Sequence, residues 1–421
     1  VSGGGERAAV VKRVLLGAFV VGLAVSITLA EVTLLLLAVR WLFRVATGRA
    51  RGGWPLAVPF GAFVLASLLA AARSEHPLES VVAAKGLLLV AAFYVTLDAL
   101  ADAADADRLI TALLALGALI AAVGGVQVIA CPWRAALEPW AGKLIRNCHR
   151  AHAFYSIYMT LAGVLSLVLL AAMPRLLSAD SADERRTGRI LAWLVGGVGL
   201  ALTYVRGAWV GFGVGVATVL AVARRSRLLA IAGIGLLVVV VLVTPGLRRR
   251  AESIADPADP TARDRVSMWR SGLAMVADHP LTGIGPGQVK REYRRYAAPD
   301  ALQKSRGHLH DTPLQILVER GIIGLAAWLA IFIAFFRRAA GILRALPAEQ
   351  SQARALVVGA VAAIAGFLAG GLTEYNFGDS EVVTVAYVIM AIVFVAGRGS
   401  TPTGPGSPEP AGEVAGAMPK G

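Results

Sequence analysis

Long apolar runs separated by short polar connections cover most of the chain. They fall near 14–29, 31–43, 55–72, 80–97, 109–130 and 151–173, and then near 190–203, 207–223, 228–243, 313–336, 353–372 and 382–395. A helix needs about 20 residues to cross the hydrocarbon of a bilayer. The pattern therefore predicts an all-α polytopic membrane protein with about 12 transmembrane helices. Helices one to nine occupy 1–244, a large external loop 245–312, and helices ten to twelve 313–397. The Pro-, Gly- and Ala-rich tail at 398–421 is expected to be disordered.

Lys and Arg in the connections orient these spans. With Arg7, Lys12 and Arg13 in the cytoplasm, the other cytoplasmic connections carry Arg44, Arg49 and Arg51; Arg175, Arg185, Arg186 and Arg189; Arg224, Arg225 and Arg227; and Arg337, Arg338, Arg344 and Arg354. This is a positive-inside pattern with both termini cytoplasmic. One cytoplasmic connection differs, because Asp98, Asp102, Asp105 and Asp107 make it acidic.

Composition agrees with the pattern. With 57% of residues hydrophobic and only 16% charged, the chain is unlike a soluble domain. The formal charge of +14 is read as topology, not as a nucleic-acid surface, because a basic nucleic-acid module would not be mostly apolar.

The external connections hold the candidate chemistry. Cys131 and Cys148 lie in one of them and would pair in an oxidising compartment, the alternative being two free thiols. Cys148, His149 and His152 lack a fourth ligand at zinc-like spacing, so no metal is expected there. The loop 245–312 has 68 residues, with twelve Lys and Arg against eight acids. Such a basic surface beside membrane lipids suits an anionic lipid-anchored partner, such as a phosphorylated glycolipid or a polyprenyl diphosphate, over a loop that merely meets anionic headgroups. Within it, 264–276 reads as a helix with Val266, Trp269, Leu273 and Val276 on one stripe. The turn-dense D-H-P-L-T-G-I-G-P-G follows at 278–287, and the basic 290–295 reads as an amphipathic piece lying on the membrane.

The stretch G-H-L-H-D-T-P-L-Q-I-L-V-E-R-G-I-I-G-L, 307–325, lies where this loop gives way to an apolar run. Thr312 reads as a helix N-cap, Pro313 as the first helical residue, and Gln315 as the closing member of a capping box. His310 then precedes a helix N-terminus, where partial positive charge favours a neutral, basic imidazole. It is the candidate catalytic base; a histidine bonded to local backbone is the alternative. Arg206 sits at an external turn between two apolar runs, where a guanidinium fits a phosphate or anchors the interface beside Trp209. Glu374, Asn376 and Asp379, in T-E-Y-N-F-G-D-S, would meet the same face and orient a sugar or pair with the arginines. Glu374 and Asp379 also form the one oxygen pair a divalent cation would consider.

With these residues in hand, the chain resembles the O-antigen ligase and polymerase family of bacterial inner membranes. The spacing His310, Asp311, nine residues, Gly321, two residues, Gly324 matches the ligase signature, with Asp311 where Asn, Ser or Gln is usual. R-V-S-M-W after Asp264, H-P-L-T-G-I-G-P-G, V-R-G-A-W around Arg206, and the E-Y-N-F-G-D-S loop are also similar to this family. The resemblance implies a membrane glycosyltransferase of the GT-C kind, inverting, with neither metal nor cofactor. It would move an O-antigen glycan from undecaprenyl diphosphate to the lipid A-core. On this reading His310 is the general base, Arg206 and Arg265 hold the donor diphosphate, and His308 and Arg306 meet acceptor phosphates. An O-antigen polymerase or a protein O-oligosaccharyltransferase would use the same donor, and a transporter of a lipid-linked substrate is the alternative from another class.

Overall fold

The computed structural model describes residues 2–177, 186–222, 235, 242, 245–252, 259–299 and 301–398. The predicted span at 228–243 and the tail after 398 lie outside the described residues, save single positions. All regular structure among the described residues is helical. The helices are α1 (Ser2–Val25), α2 (Ile27–Ala46), α3 (Ala57–Arg73), α4 (Pro77–Ala83), α5 (Ala91–Ala99), α6 (Ala103–Ala130), α7 (Arg134–Ala141), α8 (Lys143–Arg146), α9 (Tyr158–Leu177), α10 (Arg186–Leu202) and α11 (Arg206–Val222). They continue with α12 (Pro245–Glu252), α13 (Pro260–Asp278), α14 (Val289–Tyr296), α15 (Thr312–Ala345), α16 (Ser351–Gly371) and α17 (Ser380–Ala396).

Five helical segments among the described residues are long and apolar enough to cross a membrane: Pro77–Ala99, Ala103–Ala141, Tyr158–Leu177, Thr312–Ala345 and Ser351–Gly371. Three shorter apolar helices, α3, α11 and α17, accompany them. The chain is thus a helical multi-pass membrane protein, and five of its apolar runs are clear crossings among the described residues. The run 80–97 is split by a 3-10 segment at Ala84–Val90.

The bundle centres on α9, α11, α16 and α17. Helices α11 and α16 make the most intimate pair, because small residues let their backbones meet. A Cβ added at Gly211 would strike the Gly366 carbonyl and the Gly370 backbone. At one end of the bundle the acidic connection is neutralised by arginines from its neighbours. Arg40 and Arg44 pair with Asp98, and Arg175 and Arg189 pair with Asp107. The acids that stood out in the sequence are therefore counter-ions for basic connections gathered at the same end.

At the other end, 259–299 and 301–311 form a small helical cap whose core, Met268, Met275, Ile284, Val289, Tyr293 and Leu309, packs with Val318 of α15. Two expectations are corrected here. Helix α13 buries Met268, Ser271 and Met275, while Val266 and Leu273 are exposed, so the predicted stripe is rotated around the helix. Helix α14 turns Val289 and Tyr293 into the cap core, so its apolar side faces protein and not a membrane surface.

The cap is joined to the bundle through a break in α15. Gly321 has φ 62° and ψ −170°, a conformation essentially confined to glycine. The break frees main-chain groups that the turn-dense loop then takes up. Ile284 and Gly285 N–H donate to the Val318 and Glu319 carbonyls at 2.9 and 3.0 Å, and Ile322 N–H donates to the Pro280 carbonyl at 2.9 Å. A Cβ at Gly321 would overlap the Leu281 carbonyl, and one at Gly283 would meet the 318–320 backbone. The apolar run 313–336, expected as one continuous span, is therefore two helical pieces with a loop docked at their junction. Gly321→Ala is expected to cost more than about 2 kcal/mol, seen as a lower thermal midpoint of the detergent-purified protein. Gly341→Ala, in the same helix with nothing within 4 Å of the added Cβ, should leave that midpoint unchanged or raised.

Candidate functional site

The local sequence around His310 is fixed by the start of α15. Asp311, not Thr312, is the N-cap: its Oδ1 accepts the Leu314 N–H at 2.7 Å. Both residue types cap well, and the Asp carboxylate also complements the helix dipole. Burial nevertheless pushes the Asp311 carboxyl up, opposed by that hydrogen bond. Thr312 is freed for another task. Its hydroxyl lies 2.9 Å from the Glu374 carbonyl and 3.0 Å from Asn376 Oδ1. Gln315 does not close a capping box; its Oε1 accepts the Leu309 N–H at 2.9 Å and its Nε2 donates to Glu319 Oε1 at 2.8 Å.

These bonds hold His310 in a left-handed conformation, φ 49°, which is uncommon for a side chain of this size and needs external support. Leu309, fully buried in the cap core, supplies that support on one side. Glu374 supplies it on the other, with Oε2 3.1 Å from His310 Nδ1. A carboxylate at Nδ1 selects the tautomer that carries its proton there, leaving the lone pair on Nε2. The second oxygen of Glu374 accepts from Arg265 Nη2 at 2.5 Å. One carboxylate thus bridges the candidate base and a candidate phosphate ligand.

Arg206 opens α11 and is nearly buried, with Nη2 3.0 Å from Asp259 Oδ1. The same Asp259 oxygen accepts the Ala262 N–H at 3.2 Å and so caps α13. Gly207 brings Arg206 close to the bridge, since a Cβ there would touch Thr373 Oγ1 and lie 3.3 Å from Glu374 Cγ. Arg306 pairs with Asp264, the residue before Arg265. Each of the three arginines therefore sits on a carboxylate.

His308 stacks edge-on against His310, with ring centroids 4.2 Å apart, and lies 5.9 Å from Tyr375. Burial, aided by His310, pushes its pKa down to about 4, so it stays neutral across the ordinary range. His308, Glu374, Asn376 and Asp379 line a cavity of about 200 Å³ that continues between apolar side chains such as Met159, Leu167 and Phe367. Asp379 accepts from the Thr160 hydroxyl at 2.6 Å and caps α17, and Asn376 Nδ2 donates to the Phe367 carbonyl at 2.7 Å. Glu374 and Asp379 are thus engaged separately by protein donors, and do not present one oxygen cluster. Cys131 and Cys148 form a disulfide, which removes Cys148 from any metal set with His149 and His152.

The structure brings His310, Arg265 and Glu374 into direct contact, and gathers Arg206, Arg306 and His308 around them. Asn376 and Asp379 hold the 374–379 loop in place. Asp259 and Asp264, the acids that pair with the arginines, carry no sign of that pairing in the sequence. A further buried pair lies in an apolar run: Arg320 Nη1 lies 2.6 Å from Glu319 Oε2, and Arg320 Nε donates to Ser67 Oγ at 3.0 Å. Ionisable residues inside an apolar span are a signal in themselves, and this one was available.

Residues 190–329, about a third of the chain, match the family model described as O-Antigen ligase. Over that segment the chain is similar to the O-antigen ligase family, which supports the resemblance drawn from the sequence. No curated protein matches it. The matched segment contains Arg206, Arg265, Arg306, His308 and His310 but ends before Glu374.

The depressed His308 pKa has a consequence for stability. The unfolded chain takes up a proton near the ordinary histidine value of 6.5, whereas the folded chain does so only near 4. The unfolded state thus binds more protons in between, and stability must fall as pH drops from about 6.5 to about 4, then level off. Thermal midpoints measured across that window should show this slope, and His308→Asn should flatten it.

Proposed function

We propose that this protein transfers an O-antigen glycan from undecaprenyl diphosphate to a sugar hydroxyl of the lipid A-core, by direct inverting displacement. The observation that carries the reading is the Glu374 bridge, which joins His310 to Arg265. The acceptor hydroxyl attacks the anomeric carbon as His310 Nε2 removes its proton. The bond from that carbon to the diphosphate oxygen breaks, and the polyprenyl diphosphate leaves with the electron pair.

Arg206 and Arg265 hold the diphosphate and stabilise the charge that develops on it, the task a divalent cation performs elsewhere. Glu374 keeps the proton of His310 on Nδ1 and balances the positive ring once Nε2 is protonated. Neutral His308 walls the reacting centre, and Arg306 is placed to meet acceptor phosphates. The apolar continuation of the cavity suits the first isoprene units of the donor. On this reading the protein lies in a bacterial inner membrane with both termini cytoplasmic. The cap and the disulfide then face the periplasm, where Cys131 and Cys148 can remain oxidised.

Purified protein given polyprenyl-linked glycan and lipid A-core should yield modified core. A longer polyprenyl-linked glycan would instead identify a polymerase, and transfer to a polypeptide a protein-directed enzyme. At matched membrane levels, His310→Ala should slow transfer by roughly 10²–10⁴-fold. Arg206→Ala and Arg265→Ala should each lower kcat by roughly 10²–10³-fold. Wild-type rates in His310→Ala would remove the base assignment, and unchanged donor use in both arginine variants would remove the diphosphate clamp.

A further inference from the structure

A second group of ligand atoms lies where the α3–α4 turn meets the cap. Glu75 and His76, in the turn between α3 and α4, meet Glu292 of α14. One ligand atom from each lies within 4.8 Å of the others. The His76 ring has no hydrogen-bond partner among the described residues. The Glu292 side chain is only 12% exposed, and its partner is Arg295, itself 62% exposed, which also reaches Glu75 at 3.6 Å. His279 lines the same small cavity, bringing a second imidazole to its wall.

An independent observation comes from Gln288, which also lines this cavity. It is 4% exposed, and its Oε1 is buried with no hydrogen-bond partner among the described residues. A buried amide oxygen left without a donor is costly. A cation bound in this cavity would supply what it lacks.

We propose that Glu75, His76 and Glu292 form a divalent transition-metal site, with Gln288 and His279 around it. One imidazole with two carboxylates suits a borderline ion such as Zn²⁺ better than Mg²⁺ or Ca²⁺, which favour oxygen alone. The site is structural, far in role from glycosyl transfer. It clips the α3–α4 turn to α14, on either side of the glycine loop that docks into the break of α15. That turn already touches the loop, since a Cβ at Gly285 would meet Ser74 and Ser80 Oγ. Arg295 holds the carboxylates when metal is lacking and competes with it when metal is present. The donors come from segments more than 200 residues apart, which is why no ligand spacing appears in the sequence.

The test uses the full chain, detergent-purified, stripped with EDTA and titrated with Zn²⁺ in a calorimeter. One equivalent should bind. His76→Ala and Glu292→Gln should each weaken binding by at least about tenfold, and Arg295→Gln should tighten it. Glu75→Gln, whose parent side chain is 64% exposed, should weaken binding without affecting folding. Glu79→Gln, altering a nearby acid paired with Arg291, should change nothing. Zn²⁺ should raise the thermal midpoint of the wild type and leave that of His76→Ala unmoved. No binding by the folded wild type, or the same affinity in both His76→Ala and Glu75→Gln, overturns the site.

Discussion

The arrangement around His310 depends on how the break at Gly321 is satisfied. A helix interrupted inside a membrane bundle leaves main-chain N–H and C=O groups without partners, each costing several kcal/mol where water is excluded. Here the 280–285 loop supplies those partners with its own main chain. The first helical piece of α15 can then point Thr312 toward the 374–379 loop, while the second continues as a membrane helix. Glu319 sits at this junction and accepts from Gln315 Nε2 and from Gly287 N–H at 3.0 Å. A hydrogen-bonded chain therefore runs from the docked loop through Glu319 and Gln315 to the Leu309 N–H, one residue before His310.

Charge balance is the second constraint. Three guanidinium groups gathered near a bilayer would repel one another and hold the cap open. Asp259, Asp264 and Glu374 neutralise them pair by pair. On the proposed reading, an arriving diphosphate would take over these guanidinium contacts from the resident carboxylates. Breaking a buried pair without a substitute is strongly unfavourable, so the pairing favours ligands that carry enough negative charge at the right spacing.

Much of this was legible in the sequence, and the illegible parts have physical causes. His310, Arg206 and Arg265 stand out because strongly polar groups at a membrane boundary need a reason, and their surroundings match a family pattern. Glu374 was visible as one acid among several, but its choice of partners depends on three segments meeting. The helix break was hidden because apolar residues continue through Gly321 and Gly324, and hydropathy does not register a change of backbone direction. The orientation of α13 was misread because Val266 and Leu273 are as apolar as the buried Met268 and Met275. Which stripe is covered is decided by Leu309 and Leu314, which press on Gly272 from elsewhere in the chain. The N-cap moved by one residue because Asp311 and Thr312 can both fill it, and only the pull of Glu374 and Asn376 on Thr312 decides.

The docking of the 280–285 loop has a bearing on how this surface can be altered. A seam made of main-chain hydrogen bonds does not read side chains, so it specifies the join without specifying most of the residues that form it. Leu281 lies on the loop with its side chain exposed, while Gly283, Gly285 and Gly321 have no room for one. The joint therefore behaves as a coupling with fixed pins and interchangeable facing. The outward chemistry of the cap can be changed while the backbone geometry that positions His310 is left alone.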